Sequence, residues 1–320
     1  MSKNDGGFIN NKWIISNREK KNIVNQRRPY GFLVEKERTA SGKIEDTAII
    51  FLTNRECSFH CLMCDLWKNT TDKPVTVGAI PDQIEWALAQ LPKVKYLKLY
   101  NSGSFFDEAA IPEADYKRIA SLLDNFDTVV VESHPKLINE KCLRFRDMLK
   151  PELEIAMGLE IAQPEILKML NKQMTLEDFN DATTFLNKNK IRTRAFVLLR
   201  PPFLSESEGV YWAKRSIDFA FDLGVECCTI IPVRSGNGAI EKLMENGDFS
   251  LPNINSLEVV LEYGIGLSTG RVFADVWDLG LFSNCKKCID QRINRLTNMN
   301  LNQRIDDQVI CTCDNTKQES

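Results

Sequence analysis

The stretch TAIIFLTNRECSFHCLMC, residues 47–64, joins a run of β-branched and apolar residues directly to Cys57, Cys61 and Cys64. TAIIFLTN (47–54) reads as a strand, since a short apolar run bounded by polar positions suits a strand covered on both faces. The three cysteines follow on the loop that leaves it, in the pattern C-x3-C-x2-C. A structural zinc site closes with four ligands in a tetrahedron, so three thiolates leave one position open. A cubane iron–sulfur cluster on three cysteines likewise keeps one iron free for a small ligand. Ser58, Phe59, Leu62 and Met63 can shield such a group, whereas His60, one residue from Cys61, is badly placed to bind the same metal and reads as loop filler.

Outward from this stretch the chain becomes regular. Further strands are expected at KYLKLY (95–100), TVVVE (128–132), LEIAMGLE (153–160), RAFVLL (194–199), ECCTIIP (226–232) and RVFADV (271–276). Between them PDQIEWALAQL, EADYKRIASLLDNF, LEDFNDATTFLNKNK and GVYWAKRSIDFAFDLG are apolar at steps of three and four, the helical period. Repeated strand–helix units imply an α/β fold with a parallel sheet and right-handed crossovers. Periodicity does not separate an open sheet from a barrel, but in both the ligands gather at the carboxyl ends of the strands. Residues 1–46 are polar, end in the turn-rich RTASGKIED and read as an N-terminal extension; 47–279 form the core; 280–320, polar and cysteine-bearing, read as a C-terminal appendage.

Composition narrows the class. The 320 residues are 43% hydrophobic and 27% charged, an ordinary globular balance with enough apolar mass for a sizeable core. The opening MSKNDGGFINNKWIISNREKKN lacks a signal peptide's apolar run, and no stretch reaches the roughly 18 apolar residues of a membrane span, so a cytoplasmic location and no membrane partner are expected. In a reducing compartment the ten cysteines are better read as metal ligands or catalytic groups than as a disulfide framework. A net charge of -3 does not favour an autonomous nucleic-acid binder, although NREKKNIVNQRR (17–28) gathers five cations, as a solvated face or a contact for an anionic partner.

The cysteine pattern after a first strand, within a βα repeat, resembles the signature of the radical S-adenosylmethionine (SAM) superfamily. The resemblance implies a partial (βα)6 TIM-type barrel and a [4Fe-4S] cluster on Cys57, Cys61 and Cys64, whose open iron chelates the amino and carboxylate groups of SAM. An external donor of the flavodoxin or ferredoxin type would supply the electron that cleaves SAM, and the resulting 5′-deoxyadenosyl radical would abstract a substrate hydrogen. Met63 stands where the family usually carries an aromatic residue. NSGSFFD (101–107) occupies the place of the family's Gly-Gly-Glu segment, so Ser102, Gly103 and Ser104 are expected near the SAM amino group. Glu132 and Glu160 end the third and fourth strands, where ribose or amino contacts are expected. Lys172 resembles the cation that meets the SAM carboxylate in the coproporphyrinogen-dehydrogenase and elongator-catalytic-subunit branches, with Glu for Gln and Lys for Arg. Independently of the family, Arg200 is left at the end of the fifth strand, able to pair with a carboxylate or phosphate or to serve as a structural ion-pair partner.

Several segments together resemble a narrower group, the radical-SAM subunit of archaeosine synthase and its relatives: RPYGFLVEKE, SGSFFD, VVVESHPKLI, GLE…LNKQMTLEDF, LLRPPFLSE, GNGAIEKLMENGDFSLP and NCKKC…CTC. This implies a radical step on a lysine-bearing deazaguanine in transfer RNA, with a partner protein presenting the RNA. The loop IPVRSGNGAIEK (231–242), with Arg234, is a candidate for substrate contact or simply a flexible turn. Cys285, Cys288, Cys311 and Cys313 form C-x2-C…C-x-C, suited to zinc, to an auxiliary cluster or to redox-active thiols. Cys142, Cys227 and Cys228 read as small buried hydrophobes, and His134 as a mouth or turn residue or a proton carrier. Two alternatives stand beside the leading one: a peptide or cofactor maturase with an auxiliary cluster, and a non-catalytic zinc-binding scaffold.

Overall fold

The computed structural model describes residues 9–313. Its strands are β1 (Gly31–Arg38), β2 (Ile44–Leu52), β3 (Tyr96–Asn101), β4 (Thr128–Ser133), β5 (Glu152–Glu160), β6 (Arg192–Leu199), β7 (Cys227–Pro232) and β8 (Arg271–Ala274). Its helices are α1 (Asn11–Ser16), α2 (Ala79–Leu88), α3 (Tyr116–Leu122), α4 (Glu140–Met148), α5 (Pro164–Met169), α6 (Leu176–Lys188), α7 (Glu206–Asp222), α8 (Ala239–Asn246), α9 (Ile254–Leu267) and α10 (Ile289–Asn302). The strands form one sheet in chain order, β1 antiparallel to β2 and every later pair parallel. Helical crossovers cover the outer face of the parallel strands and the other strands of the sheet enclose the inner one, so that in β5 every residue after Glu152 is buried. The helices start where their sequences provide caps: Thr175 and Asp178 form a capping box on α6, and Ser205 and Glu208 form one on α7.

All the expected strands are present, and β1 is an addition within the stretch read as an extension. Its inner face explains why it does not look like a buried strand, for it carries Glu35 and Glu37 into the concave side of the sheet. Glu37 accepts from Arg194 Nη2 of β6 at 2.7 Å and pairs with Lys98 of β3. Glu154 of β5 accepts from Arg194 Nε at 2.7 Å and from Arg271 Nη2 of β8 at 3.1 Å. Contacts among five strands of one sheet require it to curl, and the sheet forms a partial barrel of the TIM type. The charges lie toward the amino ends of the parallel strands, and burial there is offset by pairing. Desolvation acts to raise the Glu37 pKa, but Arg194 and Lys98 outweigh it and hold the carboxyl far below the usual range.

Between β8 and β1 the ring does not close by strand pairing. Helix α10 covers the gap with two side-chain amides that imitate a neighbouring strand. Asn300 accepts from Ala274 N and donates to its carbonyl, both at 2.8 Å. Gln303 does the same for Val272, at 2.8 and 2.7 Å. On the other side Arg38 Nη1 donates to the Leu301 carbonyl at 3.3 Å, and Arg271 Nη1 reaches the Arg38 carbonyl at 2.9 Å. An edge that would otherwise offer free backbone groups is thereby covered.

Candidate functional site

The cysteine loop leaves the carboxyl end of β2 and is pinned from several directions. Leu62 N donates to the Leu170 carbonyl at 2.9 Å, and Asn171 Nδ2 donates to the His60 carbonyl at 2.7 Å. From the far side of the barrel Asn237 Nδ2 donates to the carbonyls of Leu62 (2.8 Å) and Cys64 (3.2 Å). Gly103 packs directly behind Cys57: a Cβ there would sit 3.0 Å from Cys57 Cβ and 3.3 Å from Sγ, and its φ of +131° disfavours any side chain. Three cations of the basic run 17–28 pair with the chain's own acids, Arg18 at 2.5 Å and Lys21 at 2.7 Å from Glu56, beside Cys57, and Arg27 with Asp82. Burial pushes the thiols of Cys57, Cys61 and Cys64 each up to about 12. Thiolates at these positions therefore call for a bound cation.

All three cysteines line a cavity of about 660 Å³ that runs from this loop into the barrel. Across the mouth Lys172 Nζ lies 2.5 Å from Glu160 Oε1, both side chains at most 10% exposed. Gly158 lets them meet, because a Cβ on it would fall on both atoms. Desolvation acts to lower the Lys172 pKa, but Glu160 more than compensates and the ammonium is held above its usual range. Glu132 accepts from Asn101 N at 2.5 Å, and burial pushes its carboxyl up to about 8. His134 Nδ1 accepts from Lys136 N at 3.2 Å, so its Nε2 carries the proton and donates to the Lys172 carbonyl at 3.0 Å. Its ring stacks on Phe59 at 3.7 Å, and burial followed by the nearby Lys172 lowers its pKa to about 3. His134 thus positions Lys172 and Phe59 as a neutral ring.

The expected site residues divide. Gly103, Glu132, Glu160 and Lys172 line the cavity with the three cysteines. Ser102 and Ser104 do not appear in the lining: Ser102 Oγ donates to the Leu66 carbonyl at 2.5 Å, and Ser104 Oγ accepts from His134 N at 2.5 Å. Arg200 is also outside, bound to Glu206 at 2.6 Å and to the Leu251 carbonyl at 2.8 Å. Arg234 instead holds two cavity residues, Asp275 at 2.8 Å and the Trp277 carbonyl at 2.6 Å. His60 lies 3.7 Å from Glu56 and outside the lining. Sequence reasoning missed Asn101, Tyr100 and Thr229. Asn101 Oδ1 and Nδ2 and Thr229 Oγ1 are buried without a protein partner among the described residues. The only signal for Asn101 was a polar residue closing an apolar strand.

The solved structure of Elp3 from Methanocaldococcus infernus superposes with a TM-score of 0.50 at 14% identity, over 78% of this chain and 62% of that one. The chain shares the fold of that structure. No family model matches the sequence. An uncharacterized protein of Methanocaldococcus jannaschii is 25% identical over 93% of this chain and 88% of its own length. Archaeosine synthase subunit beta of Methanosarcina acetivorans is 26% identical over 79% of this chain and 77% of its own length. The same subunit of Thermococcus kodakarensis is 29% identical over 49% of this chain, a match spanning about half of that relative (51%). Within this fold the cysteine loop stands at the strand carboxyl ends, where βα barrels keep their chemistry.

Proposed function

We propose that this protein is a radical SAM enzyme acting in transfer-RNA base modification, as an archaeosine-synthase-like subunit that works with a partner presenting the RNA. The observation that carries the reading is the convergence of Cys57, Cys61 and Cys64 with Glu132, Glu160 and Lys172 around one cavity at the carboxyl ends of the strands. The donor set fits a [4Fe-4S] cluster: three free thiols, Cys61 buried and Cys57 and Cys64 half-buried, lining one cavity on a loop whose carbonyls are held by hydrogen bonds from Asn171 and Asn237. When bound, that cluster together with SAM supplies a one-electron cleavage that yields a hydrogen-abstracting radical.

The chain's own residues would do the rest. Lys172 offers an ammonium to a carboxylate, and Glu160 and Glu132 offer acceptors to an amino group or ribose hydroxyls. Asn101 brings an amide whose two polar atoms are otherwise unpaired, the unmet demand that a polar ligand satisfies. Phe59, Met63, Phe196 and Trp277 line the cavity with apolar surface that excludes water from a reactive species. A net charge of -3 suits a catalytic subunit that borrows its nucleic-acid platform. Reduction would come from a flavodoxin- or ferredoxin-type donor. Among the described residues no helix is long and apolar enough to cross a membrane.

The test is anaerobic reconstitution with iron and sulfide, then reduction in the presence of SAM. 5′-Deoxyadenosine should form with the intact chain and vanish with Cys61→Ala. Deuterium placed on the tRNA-borne substrate should pass into it when the partner is present. Undiminished 5′-deoxyadenosine from the Cys61 variant would refute the cluster assignment, and absence of label transfer from every tRNA-linked substrate would refute the substrate class.

A further inference from the structure

Four cysteines outside the cavity form a second site. Cys285 and Cys288 precede α10, and Cys311 and Cys313 lie on the segment that returns from the far end of that helix. Their sulfurs all lie within 4.8 Å of one another. Cys285 Sγ is 3.8 Å from Cys311 Sγ, and Cys288 Sγ is 3.7 Å from Cys313 Sγ, each pair joining the start of the helix to the returning segment.

These spacings choose between the ligands that the sequence leaves open. A tetrahedron of thiolates about 2.3 Å from one zinc ion has edges of roughly 3.8 Å. A cubane places each thiolate on its own iron at a separate corner, which spreads the sulfurs well beyond that edge. The surroundings suit a site with an excess of negative charge. Arg292 Nε donates to Cys288 Sγ at 3.4 Å, and Lys286 and Lys287 stand between the first two ligands.

The position of the site gives it a task. Helix α10 is the element that covers the seam between β8 and β1, through Asn300, Gln303 and the Leu301 carbonyl. Arg295 of the same helix holds the returning segment by its backbone, donating to the carbonyls of Asp306 and Asp307 at 2.7 Å each. It also binds Glu258 and Glu262 of α9, at 3.2 and 2.6 Å. Little apolar burial secures that segment: Ile305 and Ile310 are exposed, Ile310 at 95%. A segment with so little core of its own is where a metal contributes most to folding.

We propose that Cys285, Cys288, Cys311 and Cys313 bind one structural zinc ion that clamps the returning segment to the start of α10 and so holds the barrel seam shut. The site is closed, with four protein ligands and no open position, and is separate from the cysteine loop at the mouth. This inference does not depend on the proposed reaction.

The experiment uses the full-length chain. Metal analysis should find one zinc per chain, retained when Cys57, Cys61 and Cys64 are all replaced by Ala and lost in Cys311→Ser/Cys313→Ser. Cobalt taken up in place of zinc should give the intense thiolate charge-transfer and tetrahedral ligand-field bands of a four-sulfur site. Because the double variant could fail to fold, zinc is also to be withdrawn from the wild type with a mercurial reagent and a chelator. Amide exchange should then accelerate at least tenfold in α10 and along β8 while α6 and β5 stay protected. Iron–sulfur absorption persisting in the loop triple variant, tail disulfides without metal, or unchanged α10 and β8 exchange after zinc release would each overturn the proposal.

Discussion

Replacing Lys172 by Met tests the buried pair at the cavity mouth. Its ammonium lies 2.5 Å from the Glu160 carboxylate, and neither side chain is more than 10% exposed. At that separation, with an effective dielectric near 20, the gross attraction is roughly 6 to 7 kcal/mol. Desolvating both groups cancels much of it, yet removing one partner strands the other charge and costs about 3 to 5 kcal/mol. Met fills the volume of the lysine stem, so the cavity term is small. Urea unfolding of the apo-protein at pH 7 is the assay. With an m-value on the order of 3 kcal/mol/M, Lys172→Met should lower the midpoint by more than about 1 M. Glu160→Gln should do much the same for the mirror reason. The double variant Glu160→Gln/Lys172→Met leaves no orphan charge and should lie within about 1.5 kcal/mol of the wild type. Additive losses in the double variant would mean that the two groups do not interact as the geometry requires.

Gly103→Ala forces a methyl to within 3.0 Å of Cys57 Cβ at a φ of +131°, so iron retained after reconstitution should fall by at least half; full retention would show that the glycine is not the backing for the loop. The raised Glu132 pKa, about 8, makes stability depend on pH. A carboxyl whose folded pKa lies above its unfolded value stabilises fully below the unfolded value, and that contribution is lost as pH rises toward 8. Between pH 6.5 and 8 the wild type should thus lose up to about 2 kcal/mol that Glu132→Gln does not lose; equal slopes for the two proteins in urea titrations would contradict this. Asn300→Ala/Gln303→Ala removes four hydrogen bonds to β8, worth roughly 2 to 4 kcal/mol, and opens a strand edge. That variant should unfold at lower urea and aggregate on heating, and light scattering like that of the wild type would argue against the amides as edge covers.

The parallel strands were legible because their apolar, β-branched runs are local features that burial on both faces demands. β1 was not, since GFLVEKER turns two glutamates inward and its partners Lys98 and Arg194 lie 61 and 157 positions away from Glu37. That Cys57, Cys61 and Cys64 follow the first parallel strand and that Glu132 and Glu160 end later ones was legible, and the structure gathers them with Lys172 around one cavity. Ser102, Ser104 and Arg200 occupy the expected loops, but their side chains are taken by neighbouring backbone groups or by Glu206. Asn101 and Thr229 gave almost no signal, because which polar residue faces the cavity depends on the curl of a sheet assembled from distant segments.

By itself the sequence determined the parallel α/β repeat and the three thiols on its first loop, since residue type and spacing along a chain are covalent facts that folding does not alter. Tertiary structure decided what surrounds that loop. A bulge between Gly158 and Glu160 and the bare backbone of Gly158 let Lys172 reach its carboxylate. Asn237, 173 positions beyond Cys64, returns across the barrel to hold the Cys64 carbonyl. Contacts of that range are set by the closure of the whole sheet, and no local pattern encodes it.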